Sequence, residues 1–303
     1  MSEKARRIGL FIGITFAISW FMAILFVALG GKWNTPGATI MGVAYMFIPM
    51  ISAILVQKFI YKEPVKKPLG ISFKLNRWWL VAWLLPPLVA LATLGISLCM
   101  PGVEYSPEMA GLFERFREIL PPEQLQQMES QTANLPFHPF WIALIQGLIT
   151  GITINAVAGF GEELGWRGFL QREFGYMGFW KSSILIGLVW GIWHTPIILQ
   201  GHNYPQHPAG GVFMMVIFCL LLAPIFSYIR IKSKSVIAAA IIHGSLNATA
   251  GLAIMVVGKG SDLIIGVTGL AGFIVLFIVN LCIFSFDRSL AKKPVSALME
   301  SIE

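Results

Sequence analysis

The sequence predicts an all-α, polytopic membrane protein with about eight transmembrane helices. Its 303 residues are 56% hydrophobic and 12% charged, and the mean hydropathy is +0.73. Soluble domains carry about 25% charged residues, so this composition excludes a large soluble core. Apolar runs near the roughly 20 residues that cross a bilayer recur along the chain, and most basic residues lie in short segments between them.

The apolar runs define eight predicted spans in a single membrane domain of residues 1–303. They cover residues 8–29, 38–61, 78–100, 140–161, 181–199, 212–228, 236–257 and 264–286. The first run is longer than the apolar core of a secretory signal, which has about 7–15 residues, and no small-residue cleavage site follows it. We therefore expect an uncleaved first span. We find no internal repeat.

The one long polar segment, residues 101–139, lies between spans three and four and is rich in glutamate. Met109, Leu112 and Phe113 recur in it at helical spacing, which predicts a short amphipathic helix on the membrane surface. A solvated helix with no part in chemistry is the simpler interpretation of this segment. A lid over a functional site is the alternative.

The distribution of charge predicts the orientation of the chain. An even number of spans puts both termini on one side, together with the basic segments that follow spans two, six and eight. The opposite side then holds only four basic residues, Lys32, Arg115, Arg117 and Lys259. The positive-inside rule places the termini in the cytoplasm, and we expect the functional site to open to that side. The net charge of +7 does not indicate a nucleic-acid partner, because its basic residues are spread over short loops.

The first candidate site residues are Glu162, Glu163 and Arg167, at the end of the fourth apolar run. An ionisable group at membrane depth costs a few kcal/mol, so it indicates a functional site. Residues four apart share a helix face, while neighbours diverge by about 100°. Arg167 is therefore expected to hold Glu163 and to leave Glu162 free to act as a general base. A purely structural ion-pair cluster is the alternative.

Two later apolar runs carry matching polar residues. His194 follows Trp190 by four residues in span five, and His243 and Asn247 share a face of span seven. A single histidine in a membrane helix more often packs or bonds to a neighbour than catalyses. Three spans with such groups together predict that the groups converge on one water molecule. Because His194 lies deeper along its span than His243, this convergence requires either a fourth span that reaches deeper than its apolar run indicates or a fifth span that is offset or kinked. Pro196 favours a kink.

The pattern Glu162-Glu163-x-x-x-Arg167, Trp190-x-x-x-His194, His243-x-x-x-Asn247 resembles the three motifs of the CAAX protease and bacteriocin-processing (Abi) family. That family includes the Ras-converting CAAX endopeptidases. The resemblance covers residues 141–251, which we take as the catalytic core. The family usually has Phe where this chain has Trp190, and we interpret this exchange as conservative.

The resemblance implies an intramembrane endopeptidase that cleaves a membrane-associated peptide or lipidated protein, with prenylated CAAX-type proteins included. In the family's terms, Glu162 and His194 activate water and His243 and Asn247 form the oxyanion hole. Glu163 and Arg167 hold the site together. No cofactor is required in this mechanism. Zinc or another divalent metal bound by Glu162, His194 and His243 is the alternative, although the zincin motif HExxH is absent.

Two other classes of function remain open from the sequence. A proton-coupled transporter would use the same buried ionisable groups as a relay and would be expected to show repeated halves. A non-catalytic immunity or scaffolding protein would keep the fold without the catalytic geometry. Cys99, Cys219 and Cys282 have no paired spacing, so neither a disulfide framework nor a CxxC metal site is predicted.

Overall fold

The computed structural model describes residues 2–33, 35–117 and 120–299. The ends of the predicted 1–303 domain and two residues of the glutamate-rich segment, Glu118 and Ile119, lie outside these ranges. Within the described ranges the secondary structure is helical, apart from an isolated antiparallel bridge between Tyr105 and Val257. The predicted all-α class is confirmed.

Fifteen α-helices occur in the described ranges, and several continue into shorter π or 3₁₀ turns. The first half of the chain forms α1 (Glu3–Ala28), α2 (Pro36–Ile54), α3 (Arg77–Leu98), α4 (Ala110–Arg117), α5 (Pro122–Ala133), α6 (Pro139–Gly151), α7 (Ile154–Glu163) and α8 (Gln171–Glu173). The second half forms α9 (Phe179–Trp193), α10 (Thr195–Ile198), α11 (Pro208–Ser233), α12 (Val236–Thr249), α13 (Leu252–Met255), α14 (Leu270–Ser289) and α15 (Val295–Met299).

The number of spans is close to the predicted eight. Six helices of the described chain are long and apolar enough to cross a membrane, and a seventh span results if the bent pair of α6 with α7–α8 counts as one. Helix α9 has only 15 residues, because the α-helix breaks at His194, just before Thr195 and Pro196. The kink expected in span five therefore shortens it.

A bend and a stretch of π-helix shape the fourth span around the glutamates. The axes of α6 and α7–α8 differ by 51°, with the break at Ile152 and Thr153. Residues Leu164–Leu170 then form a π-helix whose seven residues are all buried. Such π-helical insertions occur often at functional sites, because they change the direction of the following side chains.

Small residues bring α7 and α12 into close contact. A Cβ added at Gly159 would lie 3.0 Å from the Ala240 carbonyl oxygen and 3.1 Å from His243 Cβ. A Cβ added at Gly244 would overlap the backbone of Gly151 and Ala156. Glycines at these positions therefore let the two backbones approach. The approach places His243 beside the two glutamates.

Ion pairs define two ends of the helix bundle. At one end Arg7 of α1 contacts Glu63 at 2.6 Å and Glu173 at 3.3 Å, and Lys232 contacts Asp287 at 2.8 Å. We call this the terminal end, because both chain termini lead to it. At the opposite end Lys259 contacts Glu104 and His207 contacts Asp262. The segments predicted to lie on one side of the membrane therefore lie at one end of the helix bundle. Which side of the membrane this end faces remains a prediction.

The glutamate-rich segment forms α4 and α5 and is attached to the bundle at the opposite end. Arg115 Nη1 donates a hydrogen bond to the Ile254 carbonyl oxygen at 3.3 Å, and the Ser106 amide donates to the Val256 carbonyl oxygen at 2.9 Å. The helical spacing of apolar residues in this segment thus belongs to a helix with one side packed on the protein and the other side facing its surroundings.

Candidate functional site

Glu163 and Arg167 form a fully buried ion pair. Arg167 Nη1 lies 3.0 Å from Glu163 Oε1, and neither side chain is exposed. The guanidinium also lies over the rings of Trp190 and Phe226, 4.5 Å and 5.0 Å from their centres. Aromatic faces attract the cation in this apolar setting. The contact between residues four apart is the one expected from helical geometry.

His243 connects the two adjacent carboxylates. Its Nδ1 lies 2.8 Å from Glu163 Oε1, and its Nε2 lies 3.8 Å from Glu162 Oε1. An ionised carboxylate only accepts hydrogen bonds, so Nδ1 carries a proton. Glu163 therefore orients the His243 ring and directs its other nitrogen towards Glu162.

Glu162 is buried, with 3% of its surface exposed, and one of its oxygens is already occupied. Oε2 accepts hydrogen bonds from Trp190 Nε1 at 2.7 Å and from Trp166 Nε1 at 3.3 Å. Only Oε1 remains for chemistry. Glu162 is not paired with Arg167, but the two tryptophan N–H groups hold its carboxylate in place.

The two tryptophans were missed as site residues, and the interpretation of Trp190 as a conservative exchange did not foresee the bond from its indole N–H to Glu162. A phenylalanine at this position has no N–H group, so it could not bind Glu162. A signal for Trp166 was present in the sequence, because it follows Glu162 by four residues, the same spacing that pairs Glu163 with Arg167.

His194 lies at the C-terminus of α9 and is held by its own helix. Its Nδ1 donates a hydrogen bond to the Trp190 carbonyl oxygen at 2.8 Å, so a neutral ring has its acceptor at Nε2. Among the described residues no hydrogen bond joins His194 to Glu162 directly. Trp190 contacts both, with its ring 6.0 Å from the ring of His194.

One cavity of about 450 Å³ brings the predicted catalytic residues together. Glu162, His194, His243 and Asn247 all line it, and Asn247 is exposed. Glu163 and Arg167 lie behind the wall and do not line it. Most other lining side chains are apolar, including Met46, Trp193, Met215, Phe218, Leu222 and Leu246. A cavity of this volume and lining suits a short apolar peptide segment, with one of its peptide bonds beside the four residues.

The cavity extends to the end of the bundle opposite the termini. Its lining includes residues of three loops at that end, Trp33 and Thr35, His202 and Asn203, and Val267 and Thr268. Of the described residues, none from the loops at the terminal end lines it, and none from residues 101–138 covers it. We expected the site to open on the side of the termini, whereas the residues that line the cavity extend to the opposite end. The physical reason is that α9 ends at His194 far from the terminal end, and Asn247 lies one turn further along α12 than His243.

The residues considered as metal ligands do not form a ligand shell. No three His, Cys, Asp or Glu side chains in the described ranges are arranged to hold a metal ion. Glu162, His194 and His243 line the same cavity, but their side chains are not arranged as a group of three ligands.

The part of the chain that carries this site is similar to known proteins. Residues 136–249 match the model of the type II CAAX prenyl endopeptidase Rce1-like family. A protein of Methanococcus maripaludis named CAAX prenyl protease 2 is 31% identical over 138 residues, which are 43% of this chain and 46% of the relative. The chain thus spans about half the length of the curated relative it matches. The matched residues contain both glutamates, Arg167, His194, His243 and Asn247, so the candidate site lies within the part of the chain that is similar to the Rce1-like CAAX prenyl endopeptidase family.

Proposed function

We propose that this chain is an intramembrane endopeptidase that hydrolyses a peptide bond with water activated by Glu162. The observation that carries the proposal is the cavity in which Glu162 Oε1 lies 3.8 Å from His243 Nε2 and which His194 and Asn247 also line. A water molecule at about 2.8 Å from Glu162 Oε1 fits normal hydrogen-bond geometry there.

Glu162 acts as the general base. It takes a proton from water on Oε1 while the water oxygen attacks the carbonyl carbon of the peptide bond. When the tetrahedral intermediate collapses, the C–N bond breaks and the proton passes from Glu162 to the leaving amine. General base catalysis of this kind contributes about 10²–10⁴-fold to the rate.

The two histidines take different roles because their partners differ. His194 donates Nδ1–H to a neutral carbonyl, so its Nε2 is the acceptor that orients the attacking water. His243 lies between two carboxylates, and opposite charges suit an imidazolium in this position. A protonated His243 donates Nε2–H to the developing oxyanion, and the Asn247 amide is the second donor. Glu163 and Arg167 fix the His243 ring.

The substrate is a membrane-associated peptide or lipidated protein. The apolar lining of the cavity and its position inside the helix bundle support this class. The name of the Methanococcus maripaludis relative describes a protease of prenylated CAAX proteins. We extend to this chain only the lipid-anchored character of such a substrate, in which a lipid group contacts the apolar wall of the cavity. The lipid bilayer is the second partner.

The termini lie in the cytoplasm in our proposal, and the cavity then opens towards the opposite side of the membrane. All but four of the 22 Lys and Arg residues lie at the terminal end or on the helices that lead to it, which supports this orientation. The substrate is then a membrane-anchored segment on the non-cytoplasmic side. The reverse orientation would instead favour a prenylated tail made in the cytoplasm.

A cleavage assay with matched histidine variants tests the proposed function. The full chain is reconstituted in lipid nanodiscs and incubated with an apolar fluorogenic peptide. His194→Gln should reduce cleavage about 10²-fold or more, because the ring that orients the water is lost. His138→Gln is the control, since His138 is exposed and bonds to Pro107 in the glutamate-rich segment. Equal loss in both variants would contradict the proposal.

The metal-free mechanism is tested in the same assay. Wild-type protein dialysed against a strong chelator should keep its cleavage activity, because Glu162 and His194 need no metal to activate water. If activity were lost and returned only with added zinc, Glu162, His194 and His243 would act as metal ligands and not as base, water acceptor and oxyanion donor.

A further inference from the structure

A second and larger cavity lies at the terminal end, separate from the candidate active site. Its volume is about 840 Å³. Six basic residues line it, Lys4, Arg7, Lys67, Arg172, Arg230 and Lys234, together with three acidic ones, Glu3, Glu63 and Glu173. With all of these groups ionised the lining has a net charge of +3. An excess of positive charge around a cavity attracts anions.

Two of the three carboxylates already have cationic partners. Glu63 contacts Arg7 at 2.6 Å and Arg172 at 3.7 Å. Glu173 contacts Arg7 at 3.3 Å and Arg172 at 2.5 Å. Hydrogen bonding to Arg7 lowers the pKa of the Glu63 carboxyl, so Glu63 stays charged in this cluster. The paired groups neutralise one another, and the excess charge belongs to the other basic residues.

Arg230 is the unpaired group in this wall. It is 4% exposed, its Nε has no hydrogen-bond partner, and no carboxylate of the described chain forms an ion pair with it. A buried charge without a partner is costly. The fold nevertheless makes room for it. Gly70 has a φ of +70°, and a Cβ added there would overlap the guanidinium.

The backbone beside Arg230 is fixed in place. The Gly70 carbonyl oxygen accepts a hydrogen bond from the Val236 amide at 2.9 Å, and the nearby Ser235 hydroxyl donates to the Ser72 carbonyl oxygen at 2.5 Å. These bonds tie the loop to the start of α12. Arg230 therefore sits in a preformed niche, and its missing partner must enter from the cavity.

We propose that this cavity binds a phosphate group, with Arg230 as its central contact and Lys67 and Lys234 beside it. A guanidinium matches the geometry of phosphate oxygens, and lysines add charge. Arg7 lies near the start of α1 and Arg230 near the end of α11, where both spans leave the apolar region. The cavity is thus at the level of lipid headgroups, so the phosphate comes from an acidic phospholipid or from a soluble compound.

Thermal unfolding of the full chain tests the site and distinguishes the two sources. Detergent-purified protein is melted in inorganic phosphate and in chloride of equal ionic strength, and then in nanodiscs of phosphatidylglycerol or phosphatidylcholine. We expect phosphate or phosphatidylglycerol to raise the melting temperature. A rise with inorganic phosphate indicates a soluble ligand, and a rise with phosphatidylglycerol alone indicates a headgroup. Equal melting temperatures in both comparisons would overturn the proposal.

Three variants assign the effect to the cavity. Arg230→Gln should raise the concentration of half-maximal stabilisation about tenfold or more, because a charged hydrogen bond to the ligand is lost. Lys67→Gln should raise it by a smaller factor. Lys66→Gln is the matched control, since Lys66 is the next residue and is exposed but does not line the cavity. Equal effects of Lys66→Gln and Lys67→Gln would contradict the proposal, even if Arg230→Gln failed to fold.

The behaviour of Arg230→Gln without ligand separates binding from a structural role. In chloride buffer it should melt at or above the wild-type temperature, because an unpaired buried cation has been removed. A lower melting temperature in chloride together with unchanged stabilisation by phosphate would show that Arg230 only supports the fold.

Discussion

The indole N–H of Trp190 donates a hydrogen bond of 2.7 Å to Glu162 Oε2, although Trp190 lies on α9, 28 residues after Glu162. This bond and the one from Trp166 fix one oxygen of the proposed base and leave the other facing His243. Positioning of a catalytic group within a few tenths of an ångström has a large effect on rate. Trp190 is therefore a positioning residue in our account.

The first prediction concerns this bond. Trp190→Phe keeps an aromatic ring but removes the donor, so kcat should fall about tenfold, in line with loss of a hydrogen bond to a charged group. Trp193→Phe is the matched control, because Trp193 lines the same cavity but donates its N–H to Ser19. Both variants should lose similar thermal stability, and only Trp190→Phe should lose kcat. A similar kcat in both would remove Trp190 from the site.

The second prediction concerns the buried ion pair. Arg167→Met leaves Glu163 buried without its cation, and breaking a buried pair costs about 3–5 kcal/mol. We expect a much lower melting temperature and poor expression. Arg117→Met is the control, since Arg117 pairs with Glu114 where both side chains are 62% exposed, and surface pairs contribute about 0–1 kcal/mol. Equal melting temperatures would show that the Glu163–Arg167 pair does not support the fold.

The third prediction concerns the oxyanion. Asn247→Ala removes one proposed donor from a side chain that is exposed in the cavity, so kcat should fall about 10²–10³-fold. KM should change little, because the contact forms mainly in the transition state. Steady-state kinetics separate the two constants. A rise in KM with unchanged kcat would assign Asn247 to substrate binding instead.

The fourth prediction concerns orientation in the membrane. In a variant without the three native cysteines, single cysteines are introduced as Lys66→Cys at the terminal end and Gln124→Cys in α5, both at exposed positions. Intact cells are treated with a thiol reagent that does not cross membranes. We expect labelling at residue 124 in intact cells and at residue 66 only after the cells are opened. The reverse pattern would place the cavity mouth on the cytoplasmic side.

Local geometry explains what could be predicted from the sequence. The apolar runs have the length of membrane helices, and the Glu163–Arg167 contact follows from a spacing of four residues on one helix. The convergence of Glu162, His194, His243 and Asn247 on one cavity was expected from three separate runs, and the resemblance to a known family supported it.

Contacts between distant helices explain what could not be predicted. The bond from Trp190 to Glu162 depends on how α9 packs against α7, which no local pattern encodes. The direction in which the cavity opens depends on where α9 breaks and on the bend between α6 and α7. The spacing of residues predicts which side chains share a helix face. It does not predict towards which end of the bundle the cavity between the helices extends.

The most direct measurement is peptide cleavage by Glu162→Gln in nanodiscs, beside a thermal melt of the same sample. Glutamine keeps an oxygen that can accept from Trp190 and Trp166, so the melting temperature should change little. It lacks the basic oxygen, so cleavage should fall by about 10²–10⁴-fold or more, whereas the exposed control Glu123→Gln should cleave normally. A Glu162→Gln protein that melts normally and cleaves at the wild-type rate would contradict the central claim that Glu162 activates the water.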